Sequence, residues 1–552
     1  MIKSSFDWNS IQKSLHALKL TTLEPSNVTK YVHDLDLLES KIYERQSSLA
    51  RDYYTNPGDA SARAALQSFY ADIQPDASAL VQVCASRLRD VQDALPEKWI
   101  PTLLPFIQSD EGEISRAIAE IQGEAEAYSS LSALVTYQYS DRQGDLLADR
   151  GSDDRSIRER AHRAMIDAER TAAERKAELF VSLHAKRQSI ARDAGFKSYT
   201  DLAWSRPPLS ERDYSKNDVI ALRENVRKHI PGLLQIFANT RKSTVGGSRP
   251  WDDQIALDGK LHRSSIKDPD QALDAVGNIL IELSPILEKD FSQMRKMGVF
   301  NIAGSCEKYR QPITNYLPIS GLPWVSCWYS GVSSSVFTLL HEVGHALHLY
   351  RIPKESLFRQ HYPSKEYMEF VAQATETASL PYLGHFFDEA SLPGVRLSLI
   401  ERALKLIVNM TILDEFQERV YSLDEVDTEN LNEIYIDVLK QYPNGVDVDE
   451  IHDLVKFDWA SWHVIVHPFY NFEYVLAWIG ALTMLIGDKA SGALLEKASS
   501  RAQDAPTSSL FRDVGLSIPP TEADVAHLAA QLTSLVHISL NDLSDHSIVG
   551  TK

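Results

Sequence analysis

The stretch His341-Glu342-Val343-Gly344-His345 places two imidazoles four positions apart, with a carboxylate directly after the first. In an α-helix, residues i and i+4 lie on one face, so both histidines can direct a ring nitrogen at one metal ion. Glu342 then lies beside the metal, where its carboxylate can take a proton from metal-bound water. The motif predicts a zinc site with hydrolytic chemistry. A match of this length also arises by chance, so the rest of the chain has to support it.

Composition predicts a globular protein. The chain has 552 residues, of which 43% are hydrophobic, enough for an extensive core. Its 57 basic and 76 acidic residues give a net charge of -19, which argues against nucleic-acid binding. Three cysteines, Cys84, Cys306 and Cys327, are too widely spaced for a disulfide framework or a Cys-x-x-Cys metal site. We expect ordinary buried or half-buried thiols.

The ends and apolar stretches of the chain favour a cytoplasmic protein that does not contact membranes. The first residues, from Met1, contain no basic region followed by an apolar run, and no stretch reaches the length of a membrane span. The sequence does not indicate an oligomeric state.

Helix dominates the predicted secondary structure. Long amphipathic helices are expected at 27–49 and 60–90, with a break at Asn56-Pro57-Gly58. A polar stretch that contains Pro101, Pro105 and Ser109-Asp110-Glu111-Gly112 follows, and a later long helix should reach about Ala194. We divide the chain into an N-terminal helical region, 1–130, and a catalytic region, 131–552.

The segment before the motif is the main exception to helix. Pro312, Pro318 and Pro323 interrupt helix there, whereas 324–329 has the composition of a strand. A strand at 323–330 could pair with an extended peptide and recognise its backbone.

The helix that carries the motif should start after Gly331, because a serine hydroxyl can cap the free N–H groups of a first turn. Ser333, Ser334 and Ser335 are all candidates for this N-cap. Pro353 should end the helix, and a second helix should begin at Lys365.

Two glutamates on this second helix are candidates for the third metal ligand. A catalytic zinc site commonly has three protein ligands and leaves a fourth position for water. Glu369 and Glu376 are seven residues apart, so both carboxylates can face the same way. One can ligate while the other accepts the far N–H of a ligand histidine. Periodicity alone leaves the choice open.

Two further residues of the motif helix are not expected to ligate. His348 lies one turn beyond His345, but three histidines on one helix do not easily enclose an ion, so His348 should pack or support a ligand. Arg351 stands where the extended three-histidine zinc motif has its last histidine, which excludes that class.

A distant segment, 462–477, is rich in histidine and tyrosine, including His463, Tyr470 and Tyr474. Neutral phenols and imidazoles can stabilise a developing oxyanion through preorganised hydrogen bonds. The alternative is an aromatic core helix whose polar groups are satisfied locally.

Four blocks of the chain together resemble the zinc oligopeptidases typified by oligoendopeptidase F and thimet oligopeptidase. The resemblance extends from about Arg187 to Leu540, and its blocks are Arg187–Leu202, Tyr329–His348, Glu369–Leu383 and His463–Ala477. It implies a mostly α-helical ellipsoid with a deep central substrate channel and a short strand region beside the motif helix. Such a channel admits short unfolded peptides and excludes folded proteins.

The resemblance also implies roles for individual residues. Glu369 would complete the ligand set of one zinc ion, and Glu376 would support it; a register that pairs Glu376 with the family's ligand is the alternative. His463, Tyr470 and Tyr474 would bind substrate and stabilise the tetrahedral intermediate. The chain departs from the family at four positions, Ser335, Ala372, Gln373 and Thr375. These departures put substrate preference in doubt.

The predicted function is a zinc metalloendopeptidase that cleaves internal bonds of oligopeptides. His341, His345 and Glu369 would bind zinc, although manganese or cobalt fits the same donors. Glu342 would be the general base and then the proton donor to the leaving amine. The alternatives are a peptidase that trims substrate ends or processes one precursor, and a metal-free peptide-binding protein.

Overall fold

The computed structural model describes residues 6–108, 113–125, 127–128, 131, 143–206, 212–253, 255–304, 312–487 and 491–549. In these residues the chain is mostly α-helical and contains one small three-stranded sheet. The predicted mostly-α fold class is confirmed. None of the described helices combines the length and the apolar character of a membrane span.

The chain divides into two compact units, each assembled from three separate segments. The first unit consists of Met1–Ser109, Ser265–Phe386 and Gly487–Leu516. The second consists of Asp110–Ser264, Phe387–Ile486 and Ser517–Lys552. The boundary after residue 130 that we placed from the sequence stays a prediction.

The first unit contains the motif helix and the sheet. Its α-helices are Trp8–Leu20, Val28–Thr55, Ala60–Ser68, Gln74–Ser86, Ile100–Gln108, Pro269–Leu283, Pro285–Lys296, Ser333–Arg351, Lys365–Ala378, Ser491–Ala498 and Thr507–Asp513. Its other helical turns are a π-helix at Phe69–Ile73 and 3-10 helices at Arg87–Ala94, Glu97–Trp99, Phe358–His361 and Leu380–His385.

The predicted N-terminal helices are present, with two differences. The helix predicted over 27–49 spans Val28–Thr55 and ends before Pro57, where the break was expected. The helix predicted over 60–90 is a series of shorter pieces, because Pro75 lacks the N–H that a continuous helix needs at that position. The part of the predicted polar stretch with Pro101 and Pro105 is helical over Ile100–Gln108, so the prediction was wrong there, and positions 109–112 lie outside the described residues. Pro101 lies in the first turn, where its missing N–H has no intrahelical partner to lose.

A hydrophobic core joins these N-terminal helices to the sheet. Leu317 and Trp324 pack in one buried cluster with residues of the first helices, among them Leu35 and Ile42. The indole of Trp324 also donates a hydrogen bond to Ser47 Oγ at 2.8 Å. The N-terminal region of the chain therefore holds the sheet in place.

The sheet has three strands: β1 (Phe300–Asn301), β2 (Ile313–Leu317) and β3 (Leu322–Ser326). Their spatial order is β1-β3-β2, with β1 parallel and β2 antiparallel to β3. The strand predicted before the motif is thus present as β3, whereas β2 was not predicted. Val325 and Ser326 are paired with neighbours on both sides. The proposal that a peptide substrate pairs there was wrong for these two residues, because their backbone groups are already bonded.

The motif helix, Ser333–Arg351, begins one residue earlier than any serine cap would place it. Its N-cap is Val332, in an extended conformation and without a side-chain cap. The Ser335 hydroxyl instead donates to the carbonyl of Val332 at 2.8 Å. The prediction of a serine N-cap was wrong, because all three serines already lie inside the helix. The helix ends at Arg351, ahead of Pro353, as predicted.

The second unit is built from helices throughout its described part. They are Glu113–Ala125, Gln143–Arg150, Arg155–Asp193, Tyr199–Trp204, Lys216–His229, Pro231–Thr244, Leu392–Tyr421, Thr428–Leu439, Val448–Val455, Trp462–Ile465, Phe472–Ile486 and Glu522–Val549, with 3-10 turns at Pro250–Asp252 and Glu389–Ser391. The helix that ends at Asp193 confirms the long helix predicted to reach about Ala194. Buried ion pairs such as Arg223–Asp414 join these helices.

Two of the three cysteines lie in described residues. Cys84 and Cys327 are free and buried, as predicted. Cys306 lies outside the described residues.

Candidate active site

The close approach of two helices creates the candidate site. The motif helix packs against the helix Lys365–Ala378, which we call the glutamate helix. A Cβ added at Gly344 would lie 2.8 Å from the Ala372 Cα and 2.7 Å from the Thr375 Oγ1. Only glycine allows this separation, because a side chain would meet the backbone of the facing helix. Gly344 is therefore the residue that lets the two sets of candidate ligands meet.

Replacing Gly344 by alanine should destabilise the protein by about 1–3 kcal/mol, because the helices must move apart to admit the methyl group. The measurement is the free energy of unfolding in urea. Gly232→Ala is the matched control, because Gly232 lies in a helix and a Cβ there meets no described residue within 4 Å. Equal stability of the two variants would contradict the close helix contact.

The structure brings His341, His345 and Glu369 together. Each offers one ligand atom, and these atoms all lie within 4.8 Å of one another. His341 Nε2 is 3.5 Å from Glu369 Oε2, and His345 Nε2 is 3.9 Å from Glu369 Oε1. Two imidazole nitrogens and one carboxylate that converge in this way can hold a metal ion and leave one position open.

The chemistry of this cluster fits a cation. Glu369 Oε2 is buried and has no hydrogen-bond partner among the described residues, which is costly for a carboxylate unless a cation is close. Burial raises the pKa of Glu369 to about 7. Burial and the nearby His341 hold the pKa of His345 well below its ordinary value, so its imidazole is neutral and able to ligate.

Glu376 lies behind His341. Its Oε1 accepts a hydrogen bond from His341 Nδ1 at 2.9 Å, and its side chain is fully buried. A donor at Nδ1 leaves the lone pair of Nε2 directed at the cluster, so this contact fixes the tautomer that a ligand needs. Burial lowers the pKa of His341, but the hydrogen bond to Glu376 and the charge of Glu369 outweigh burial and raise it to about 9. The carboxylates that raise this pKa would also stabilise a metal cation bound at Nε2.

Glu342 projects from the motif helix toward β2. Its side chain is buried, and its Oε2 accepts a hydrogen bond from Thr314 Oγ1 at 2.6 Å. Burial raises the pKa of Glu342 above its ordinary value, while the charge of His341 and the bond from Thr314 oppose the rise. Sequence reasoning missed Thr314, because a lone threonine 28 residues before the glutamate gives no local signal.

The other two polar residues of the motif helix have structural contacts. His348 is buried, and its Nε2 lies 3.0 Å from the carbonyl of Arg501. Arg351 forms an ion pair with Asp290 and donates to Ser499 Oγ at 3.0 Å. Neither belongs to the cluster of ligand atoms, in keeping with the sequence analysis.

His463, Tyr470 and Tyr474 lie in the second unit, whereas the metal-ligand cluster lies in the first. The rings of His463 and Tyr474 are 5.3 Å apart, and the ring of Tyr470 is 5.6 Å from that of His467. His463 thus pairs with Tyr474, and Tyr470 pairs with His467, a histidine that the sequence analysis did not single out.

Buried hydrogen bonds fix the backbone around these rings. Arg187 donates to the carbonyl of Ile465 at 2.7 Å, and Gln417 Oε1 accepts from the N–H of Phe469 at 2.8 Å. Phe469 has a φ of 68°, in the left-handed region that non-glycine residues rarely adopt. The helices that contain Arg187 and Gln417 therefore determine where the aromatic segment lies.

Comparison with known proteins supports the resemblance. No protein-family model matches the chain. Oligopeptidase PepF of Bacillus subtilis is 25% identical over 300 residues, which are 51% of this chain and 41% of that protein. An oligoendopeptidase F homolog of Borreliella burgdorferi is 22% identical over 356 residues, 61% of this chain and 57% of that protein. The matched regions thus span about half the length of these curated relatives.

Solved structures share the fold at low identity. A structure titled PZ peptidase A with inhibitor 2 has a TM-score of 0.85 and 18% identity, and the match covers 96% of each chain. Oligoendopeptidase-F from Enterococcus faecium has a TM-score of 0.60 and 15% identity, with 98% of each chain covered. The helices and the small sheet therefore form the fold of known peptidase structures. The predicted family resemblance is confirmed: the chain is similar in sequence and in fold to proteins named oligoendopeptidase F.

Proposed function

We propose that this chain is a zinc metalloendopeptidase that hydrolyses internal peptide bonds of short, unstructured oligopeptides. The observation that supports it most is the cluster of His341, His345 and Glu369, with Glu342 next to it on the same helix. The sequence relatives named oligopeptidase PepF and oligoendopeptidase F homolog support the substrate class. The cytoplasmic location stays a prediction.

His341, His345 and Glu369 would hold the metal, and Glu376 would orient His341. Zinc supplies Lewis acidity, which makes water a nucleophile near neutral pH and polarises a carbonyl. The carboxylate of Glu342 accepts the proton of the attacking water and later passes it to the leaving amine. Burial raises the pKa of Glu342 above its ordinary value, which favours uptake of a proton by this carboxylate.

His463, Tyr470 and Tyr474 are proposed to bind the peptide and to donate hydrogen bonds to the oxyanion. Donors that are fixed before the reaction stabilise the developing charge more than they stabilise the substrate carbonyl. The buried contacts of Arg187 and Gln417 with this segment would provide that fixation.

Removing the metal should abolish hydrolysis and lower the melting temperature. A ligand that binds only the folded chain stabilises it, by about 2.7 kcal/mol when its free concentration is 100 times the dissociation constant. The test is chelation followed by readdition of zinc, with hydrolysis of a quenched peptide and thermal unfolding measured at each step. Undiminished hydrolysis in chelator would contradict the proposal.

Mass spectrometry of products from a peptide library then identifies the kind of cleavage. Internal cuts in many sequences are expected. Removal of terminal residues alone, or cleavage of a single sequence, would favour the narrower peptidase. Zinc binding without any turnover would favour a peptide-binding protein.

A further inference from the structure

The hydroxyl of Thr314 contacts the carboxylate proposed as general base. Thr314 Oγ1 lies 2.6 Å from Glu342 Oε2 and 3.1 Å from the Glu342 backbone carbonyl. A hydroxyl has one proton to donate, and the shorter distance is typical of a bond to an ionised carboxylate. The main contact of Thr314 is therefore with the side chain.

The sheet determines where this hydroxyl lies. In β2, Thr314 is paired with Val325 of β3, and its side chain points to the motif helix. The next residue, Asn315, points to the opposite face, as strand geometry requires. There Asn315 Oδ1 accepts from Tyr43 at 2.7 Å and from Tyr362 at 3.0 Å. Contacts on both faces thus fix β2 beneath Glu342.

A fixed carboxylate is useful in this reaction because proton transfer depends on geometry. The bond from Thr314 engages Oε2 and restricts the side-chain torsions of Glu342, which leaves Oε1 to take the proton of the attacking water. Without that bond, a buried glutamate has several torsions to sample, and productive orientations are populated less often.

We propose that Thr314 is a positioning residue that holds the Glu342 carboxylate in the orientation needed for proton transfer. The inference rests on the proposed function, since it requires Glu342 to act as the base. It goes beyond that function because it assigns a role to a residue of β2, outside the metal-binding motif.

The test compares Thr314→Val, which keeps the shape and removes the hydroxyl, with Thr314→Ser, which keeps the hydroxyl. Loss of a hydrogen bond that orients a metal ligand costs about 10- to 100-fold in activity, and we take this as the scale for a bond that orients the neighbouring base. We expect Thr314→Val to lower kcat by this factor, with KM and zinc content unchanged, and Thr314→Ser to restore most of kcat. Thr411→Val is the matched control, because that buried hydroxyl donates to Ile407 within its own helix.

A double-mutant cycle in the metal-free protein gives a readout that does not depend on activity. Thr314→Val should lower the urea midpoint more when Glu342 is present than in a Glu342→Ala background, because contacting residues are not additive. Additive effects would show that the contact is absent and would overturn the inference.

The kinetic outcomes distinguish the inference from the proposed function. Full kcat in Thr314→Val, together with loss of activity in Glu342→Gln, would overturn the role of Thr314 and leave the proposed function intact. A Thr314→Ser variant as slow as Thr314→Val would also overturn it, because packing and not the hydroxyl would then matter. A wild-type chain that binds zinc and cleaves no peptide would overturn both.

Discussion

Glu342→Gln should lower kcat by about 100- to 10,000-fold, the usual contribution of a general acid–base group. Glutamine has the shape of glutamate, but its amide cannot take up a proton at neutral pH. The Glu342 side chain is buried and contacts Thr314, whose hydroxyl can still donate to the amide oxygen. The fold and the zinc content should therefore be kept, while proton transfer is lost.

Hydrolysis of a quenched peptide, zinc content and circular dichroism together test this expectation. Glu44→Gln is the matched control. It makes the same chemical change at a glutamate whose carboxylate accepts hydrogen bonds from the Ile319 N–H and the Ser320 hydroxyl. Wild-type turnover in Glu342→Gln would remove Glu342 from the mechanism. Loss of zinc from that variant would instead indicate that Glu342 helps to hold the metal.

Glu369→Gln should weaken zinc binding more strongly than Glu376→Gln. A residue that supports a ligand contributes about 10- to 100-fold to metal affinity, and we expect the loss of a direct anionic ligand to exceed that. Glu369 lies among the candidate ligand atoms, whereas Glu376 contacts the far nitrogen of His341. In Glu376→Gln, the amide oxygen can still accept from that nitrogen, so only part of the support is lost.

Competition with a chromophoric chelator measures both affinities, and circular dichroism shows whether each variant is folded. The reverse order, with Glu376→Gln the weaker binder, would make Glu376 the ligand. That result would restore the alternative that the sequence had left open.

Much of the candidate site could be predicted from the sequence because its residues follow helical periodicity. The four-residue spacing of His341 and His345, and the seven-residue spacing of Glu369 and Glu376, place each pair on one helix face wherever the helices lie. Gly344 is part of the motif, but the sequence does not show why a glycine is needed there. The need arises from the facing helix, where Ala372 and Thr375 occupy the space of a side chain.

Features that depend on pairing between distant segments could not be predicted. β2 lies between Pro312 and Pro318, which suggested interrupted structure, yet its pairing with β3 makes it a strand. Its contact with Glu342 through Thr314 has no signal in the local sequence. The prediction of a serine N-cap was wrong for a related reason. Three neighbouring serines have equal N-cap propensity, and the extended backbone of Val332 decides where the helix begins.

The position of the metal tests the central claim most directly. Crystals of the zinc-loaded protein, measured at the zinc absorption edge, should show one anomalous peak about 2.0–2.2 Å from His341 Nε2, His345 Nε2 and a carboxylate oxygen of Glu369. Glu376 should remain bonded to His341 Nδ1. A peak ligated by Glu376, or zinc bound elsewhere with the His341–His345–Glu369 cluster empty, would contradict the account.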